Sequence, residues 1–391
     1  MKKIKKIKDF NLKSKKVLVR LDLNVPFRNG KVADNTRIIS SIPTIKEIIK
    51  KGGIPVIISH FGRPKGKKNN NFSLKKITKS LSKHLKKKVV FCKNCIGPDV
   101  KEILNKIKIG QIVLLENLRF HKGESDNCGK FAKQLAENCD VYINDAFSAS
   151  HRKHASIDKI TNLLPSGIGK NMENEILNLN IFLKKPKKPL TAIIGGAKME
   201  NKITLISNLI KRSKYLILGG GIANTFLKAN NFNIGNSIYE KKQLLNVIKI
   251  QKEAKRNNCF IILPEDLKVM DNKKIKEISI SEVKNNHQIF DLGKISIWVI
   301  SKIINNSKTI IWSGPIGYFE KKPFDKGTNQ IVSLINSKKK IISIAGGGDT
   351  IAAIKRNKKI KNFNFLSTGG GAFLHWLEKF SLPGIEALKK N

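Results

Sequence analysis

Cysteine, acidic residues and long apolar runs are all scarce in this chain. Its 391 residues include five cysteines, an odd number in a long sequence, which argues against a disulfide-stapled scaffold and for free thiols in a reducing compartment. Cys92 and Cys95 make one C-x-x-C, but no second pair shares that spacing, so zinc and thiol redox roles are not supported. No stretch approaches the ~20 apolar residues of a membrane-spanning helix. The opening MKKIKKIKDF lacks the apolar core of ~7 to 15 residues that a secretory signal needs. A soluble, cytoplasmic protein with no membrane partner is expected.

The shortage of acid leaves 76 Lys plus Arg against 29 Asp plus Glu, a formal charge of +47. Such an excess raises the question of a nucleic-acid partner. Nine arginines leave 67 lysines, and these are scattered over nearly every segment rather than gathered on one element. Specific binders concentrate their charge on a recognisable module, so no specific nucleic-acid partner is expected. Hydrophobic residues at 40% and charged residues at 27% are ordinary globular usage. At roughly 100 to 200 residues per domain, the length suits two or three domains.

Two common nucleotide signatures are also missing. No G-x-x-x-x-G-K-[ST] occurs, and Gly167-Ile168-Gly169-Lys170 lacks both the upstream glycine and the following hydroxyl. There is no H-R-D or D-F-G set of protein-kinase type. What is present is a series of short apolar runs: VLVR at 17, PVIIS at 55, KVVF at 88, IVLLE at 112 and DVYIN at 140. A second series follows: TAIIGG at 191, YLILGGG at 215, CFIILP at 259, TIIWSG at 309, IISIAGGG at 341 and FNFLSTGGG at 363. Segments with helical spacing separate them, such as 40–51 and 241–255. Unbroken β-branched runs alternating with helices predict parallel strands buried on both faces, the α/β class. The segment from Pro165 to Pro189, with MENEILNLNIFLKK as a connecting helix and PKKP as its break, is expected to join two domains.

Ligands of open parallel sheets bind outside the carboxyl ends of the strands. In the first half those ends run into Arg20, Asp22 and Asn24, into His60 and Arg63, into Arg119, and into Asp145 and Arg152. Lysine supplies charge elsewhere, so Arg37, Arg63, Arg119 and Arg152 mark positions where a planar fork is needed, as for carboxylate or phosphate. Asp22 and Asn24 alternate with Leu21 and Leu23 and are suited to accept from a hydroxyl of the same ligand.

In the second half the strand ends run into glycine: Gly195-Gly196, Gly219-Gly220-Gly221, Gly346-Gly347-Gly348 and Gly369-Gly370-Gly371. Backbone without side chains at a strand-to-helix turn lets amides reach a phosphate, and the helix N-terminus favours the anion. This pattern predicts a nucleotide cradle. Thr350 is suited to donate to phosphate, and Asp349 to hold a hydrated magnesium ion. Lys198 and Lys202 would share one face if a helix starts there, and Glu320 is placed to accept from ribose hydroxyls.

These motifs resemble phosphoglycerate kinase over essentially the whole chain. KVLVRLDLNVP, SHFGRP, LLENLRF, NDAF followed by HR, GGAK, LGGGIANTF, WSGPIGYFE, AGGGDT and STGGGAF occur in family order. The resemblance implies two Rossmann-like lobes, each a parallel sheet flanked by helices, joined by a hinge that closes for catalysis. It implies residues 1–170 as a 3-phosphoglycerate lobe, with 372–391 packing back on it, and 171–371 as the nucleotide lobe. Asp22, Leu23, Asn24, Arg37, His60, Phe61, Gly62, Arg63, Arg119 and Arg152 match the substrate site. Lys198, Lys202, Gly220, Glu320, Gly347, Gly348, Asp349 and Thr350 match the nucleotide site, with Asp349 toward Mg2+. Arg37, Lys198 and the Gly348 amide would act on the transferring phosphoryl group. The implied reaction is glycolytic and reversible: ATP and 3-phosphoglycerate give ADP and 1,3-bisphosphoglycerate, and a monomer is the family expectation. The chain departs from the family pattern at Ser313 and Ser148, where Asn and Gly are common. Neither change removes a charged group, so altered affinity is the expected consequence. The open alternative is a kinase of the same architecture acting on another phosphorylated acid.

Overall fold

Continuous β-branched segments can be buried only where both faces are covered, and here they build two parallel sheets. A computed structural model describes residues 4–184, 186–357 and 362–390. The chain divides into two units, Met1–Leu177 with Ser381–Asn391, and Asn178–Phe380.

In the first unit, six parallel strands lie in the order Val89–Phe91, Ile112–Leu114, Ile54–Ile58, Lys16–Arg20, Val141–Asn144, Ser166–Ile168. Leu18 pairs with Val56 on one side and Tyr142 on the other, and all three are buried. One face, carrying Val17, Val19, Ile57, Leu114 and Ile143, packs against Ile38, Ile42, Ile45 and Ile48 of the helix Thr36–Lys50 and Ile77 and Leu81 of Lys75–Leu85. Each such side chain contributes roughly 1.5 to 3 kcal/mol on burial, so this face fixes where Thr36–Lys50 begins and hence where Arg37 stands. The helix expected at 40–51 thus starts at Thr36 and tolerates Pro43 inside it. The short helix Pro383–Leu388 belongs to this unit, its Gly384 N–H donating to the Ser150 carbonyl at 2.9 Å.

The second unit repeats the plan, in the order Phe260–Ile262, Tyr215–Leu218, Leu190–Ile194, Thr309–Ser313, Ile342–Gly346, Phe365–Ser367. Buried Ile193, Ile217, Ile310, Trp312 and Ala345 form its core with Ile300, Ile304, Ile331 and Ile335 from flanking helices. Residues 372–380, expected on the first lobe, fall with this unit. Their helix, Gly371–Lys379, packs on Ile203–Ile210 and buries Phe373, Trp376 and Leu377. A three-stranded antiparallel sheet, with Asp266–Asp271 between Lys274–Ser279 and Gln288–Leu292, is an addition that the apolar runs did not announce.

Strand order reverses once in each sheet. Successive strands are laid to one side of Lys16–Arg20 before Val141–Asn144 joins the other, and to one side of Leu190–Ile194 before Thr309–Ser313 does. Such switch points leave a crevice at the carboxyl ends of the strands.

Candidate functional site

At the first switch point the chain leaves Lys16–Arg20 as an extended segment that alternates inward and outward. Leu21 and Leu23 are buried in the core, whereas Asp22 and Asn24 turn to the crevice side. Leu23 is a correction to the sequence reading. Its side chain is in the core and its N–H donates to Ser59 Oγ at 3.0 Å, so it positions its neighbours and has no donor left for a ligand.

Arg37, in the first turn of Thr36–Lys50, reaches back to this segment. Its Nη1 lies 2.9 Å from Asp22 Oδ2 and donates to the Asn24 carbonyl at 2.8 Å. Asp22 also accepts from the Asn24 N–H at 3.1 Å and from the Ser148 hydroxyl. Asn24 Oδ1 accepts from the Gly62 N–H at 3.0 Å, and the Gly62 carbonyl accepts from Arg119 Nη1 at 2.8 Å. Gly62 has φ +62°, and a Cβ there would fall 2.2 Å from the Phe72 ring, so the loop closes only with glycine. Phe61 is half-buried against Phe27, ring centroids 5.3 Å apart. Its backbone is held from both sides by Asn117, which accepts from Phe61 N–H at 3.2 Å and donates to the Phe61 carbonyl at 2.7 Å. Arg63 and Arg152 are exposed, and Arg152 Nε donates to His151 Nε2 at 3.1 Å.

His60 is buried, and Arg20 Nη2 lies 3.0 Å from its Nδ1. Burial, and then the positive charges of Arg20, Arg119 and Arg37, hold its pKa well below the ordinary value, so the ring is neutral at pH 7. Arg119 is itself drawn down to about 10 by burial, with Arg20, Arg152 and Arg63 contributing. Burial is the larger cause in both cases and the neighbouring guanidinium charges add to it, so cations are gathered here around a neutral ring. Such a cluster lowers its energy by taking an anion.

The second switch point is lined by backbone. Gly220, with φ +62°, opens the helix Gly220–Ala229, and a Cβ on it would lie 2.9 Å from the Gly196 carbonyl oxygen. Gly347, with φ +101°, is the N-cap of Gly348–Arg356, whose first intrahelical bond is from Ile351 N–H to the Gly347 carbonyl at 3.0 Å. The amides of Gly348, Asp349 and Thr350 precede that bond and point out of the helix end.

Lys202 Nζ sits between the two central strands. It donates to the carbonyls of Gly195 at 2.6 Å and Ser313 at 3.3 Å. Burial lowers its pKa to about 8, against the pull of Asp349 in the other direction. A cavity of about 400 Å³ adjoins this point, bounded by Gly196, Ile238, Leu267 and Phe290, with Glu320 and Asp349 also in its lining. Both carboxylates are exposed. An apolar slot with polar groups at its edge and amides beside it suits a flat base carrying a charged tail.

One expectation changes here. Lys198 and Lys202 do not share a helix face, because Lys198 lies in an exposed bend and the 3-10 turn begins only at Glu200. That bend is pinned by the Glu240 carboxylate, which accepts from the Met199 N–H and, at 3.1 Å, from the Glu200 N–H. Thr350 is buried, and its hydroxyl accepts from the Gly314 N–H at 2.6 Å, which locks the turn and leaves its own O–H proton to donate. Among the described residues no group of three or more His, Cys, Asp or Glu side chains is placed to hold a metal ion.

The sequence reading missed Arg20 as an inward-facing partner of His60, and it missed Ser59, Asn117 and Glu240. Asn117 sits within LLENLRF but was assigned no role there, and Glu240 lies outside the apolar runs, where nothing local marks it. Arg20 was visible only as an arginine inside a strand that otherwise reads VLV.

Comparison with known proteins agrees with this layout. The family model described as phosphoglycerate kinase matches residues 7–379. The chain is 44% identical over 399 residues to a protein named phosphoglycerate kinase from Wolbachia sp. subsp. Brugia malayi, covering 100% of this chain and 99% of that one. It is 46% identical over 398 residues to the protein of that name from Orientia tsutsugamushi strain Boryong, covering 99% and 98%. Among solved structures, phosphoglycerate kinase from Coxiella burnetii superposes with a TM-score of 0.89 at 37% identity over 99% of both chains. The Pyrococcus horikoshii enzyme gives 0.85 at 29% identity over 98% of both. A match that runs unbroken through both switch points places this chain in the phosphoglycerate kinase family.

Proposed function

We propose that the protein reversibly transfers the γ-phosphoryl group of ATP to the carboxylate of 3-phosphoglycerate, giving ADP and 1,3-bisphosphoglycerate, as a step of glycolysis. The observation that carries this reading is the geometry of the first switch point, where Arg37 and Arg119 are drawn in around Asp22, Asn24 and Gly62 beside a buried, neutral His60. Arg37, Arg63, Arg119 and Arg152 supply forks for phosphate and carboxylate, and His60 supplies a neutral donor. Asp22 and Asn24 accept from the substrate hydroxyl, and the Phe61-Gly62 backbone holds Asn24 and Arg119 in place.

On the nucleotide side, the apolar slot takes the base and Glu320 the ribose. The Gly220 turn and the Gly347 to Thr350 turn present amides to the phosphates. Magnesium arrives with the nucleotide as part of the substrate. Mg2+ binds through one or two carboxylates while keeping several waters, and exposed Asp349 beside the phosphate-facing helix end fits that habit.

The acceptor carboxylate is already ionised at neutral pH, so no general base is required. One of its oxygens bonds to the γ-phosphorus as the bond to the bridging oxygen of ADP breaks. Catalysis then reduces to placement and to stabilising charge on the equatorial oxygens. Arg37, Lys198 and the Gly348 amide are assigned to that task. Lys202 steadies the two central strands of the nucleotide site through the Gly195 and Ser313 carbonyls. In the cell we place the enzyme in the cytoplasm as a monomer, for which a native mass near 43.9 kDa is expected. No described helix is long and apolar enough to cross a membrane.

The deciding experiment is a coupled assay with MgATP and 3-phosphoglycerate beside other phosphorylated hydroxy acids. Turnover is expected with 3-phosphoglycerate. Preference for another acid would retain the kinase and reassign its acceptor.

A further inference from the structure

Arg20 is 0% exposed, an expensive place for a guanidinium, and its contacts do not include a direct carboxylate partner. Nε donates to Ser156 Oγ at 3.0 Å, Nη1 to the Leu21 carbonyl, and Nη2 faces His60 Nδ1 at 3.0 Å. Ser156 passes the charge on. Its hydroxyl donates to Glu124 Oε1 at 2.7 Å and its N–H to Glu124 Oε2 at 3.0 Å, and Glu124 is likewise fully buried. A chain of four groups therefore runs from Glu124 through Ser156 and Arg20 to His60. Its direction is fixed at one end, because a guanidinium has donors only.

We infer that Arg20 is a positioning residue that holds His60 as its Nε2-protonated neutral tautomer, so that His60 can only donate toward the anion it faces. The inference rests on the reading of this crevice as the 3-phosphoglycerate site. The steps follow from valence. Nη2 donates, so Nδ1 must offer its lone pair. A neutral ring with a lone pair on Nδ1 carries its proton on Nε2. The opposite tautomer would turn a lone pair toward the ligand oxygens and repel them. Arg20 thus acts on affinity without touching the ligand, and Glu124 with Ser156 keeps it from turning away. Lysine would not serve, since a point charge cannot meet three acceptors in one plane.

The test is nitrogen NMR on protein carrying 15N-histidine, with the His60 signals assigned by loss in His60→Gln. In the unliganded protein, Nδ1 is expected to be unprotonated and Nε2 protonated, unchanged between pH 6 and 8. A proton on Nδ1, or a ring that titrates in that range, overturns the inference. In kinetics, Arg20→Gln should raise the KM for 3-phosphoglycerate roughly tenfold to a hundredfold, the scale of one hydrogen bond to a charged group, and leave the KM for ATP unchanged. If Arg20 acts through His60, the double variant Arg20→Gln/His60→Gln should be no worse than His60→Gln alone. Additive losses would overturn the proposal. Should Arg20→Gln fail to fold, the wild-type spectrum still decides. That spectrum needs no substrate, so it stands apart from the functional reading, which absence of wild-type turnover would refute.

Discussion

Arg37 is held by Asp22: Nη1 lies 2.9 Å from Oδ2 and 3.2 Å from Oδ1, and the same nitrogen donates to the Asn24 carbonyl. The arginine assigned to the transferring group is therefore aimed before any substrate arrives, by the residue assigned to the substrate hydroxyl. Arg37→Ala should lower kcat by about 10³ or more, the range for an arginine that stabilises phosphoryl transfer. ATP binding should stay close to wild type, because every nucleotide contact proposed lies in the second unit except that of Arg37 itself, which acts on the phosphoryl group in transfer. Calorimetric titration with ATP beside the coupled assay checks both, and loss of ATP binding would count against the assignment.

Lys202 gives a pH signature. Its ordinary value of 10.5 is lowered to about 8 because its ammonium is buried among backbone carbonyls. Below pH 8 the free protein carries this charge next to the phosphate site, and above it the charge is lost. ATP affinity should weaken above pH 8 with a slope of no more than about tenfold per unit. Lys202→Gln should bind more weakly throughout and show a flatter profile. A wild-type affinity constant from pH 7 to 9.5 would show that this lysine does not sense the nucleotide.

Most of the fold was legible because burial on both faces requires unbroken hydrophobes, and each apolar run from VLVR to FNFLS became a parallel strand. The strand Ser166–Ile168 was not legible, being three residues with a glycine in the middle. The antiparallel sheet was hidden because only one face is covered. Lys274–Ser279 reads KIKEIS, and its hairpin turns through Asn272 and Lys273, both at positive φ, where glycine would have announced the turn. In the site, arginine stood out against a background of lysine, and glycine against β-branched strands. What could not be read was direction. Lys202 finds Ser313 at a separation of 111 residues, and only the sheet order brings them together.

Gly348 separates function from stability. A Cβ there would meet nothing within 4 Å, whereas Gly347 beside it has φ +101°. Gly348→Ala should keep or slightly raise the melting temperature, since alanine is the better helix former by about 1 kcal/mol. Its methyl would stand at the helix end where a phosphate must approach, so kcat should fall at least tenfold, as a displacement of about 1 Å can cost more than that. Gly347→Ala should lose roughly 1 to 3 kcal/mol of stability from backbone strain. Melting curves and kcat measured together discriminate the two. An active Gly348→Ala enzyme would remove this amide from the phosphate site.

Asp145 makes stability depend on pH. It follows Val141–Asn144, is buried, and accepts from the Met172 N–H at 3.0 Å at the start of the helix Lys170–Lys184. Burial raises its pKa from 3.8 to about 7, despite the Met172 amide and the Thr44 hydroxyl, which favour the charged form. The raised value means that between these limits the folded protein holds a proton that the unfolded chain has released. This contribution is therefore fully present below pH 3.8 and is lost as pH rises through 7, by at most about 1.4 kcal/mol per unit. Asp145→Asn cannot release that proton. The difference in urea midpoint should therefore move in favour of the variant from pH 5 to 7 and level off by pH 8. A difference that stays constant over that range would mean that Asp145 is ionised throughout and that its neighbours stabilise the charge.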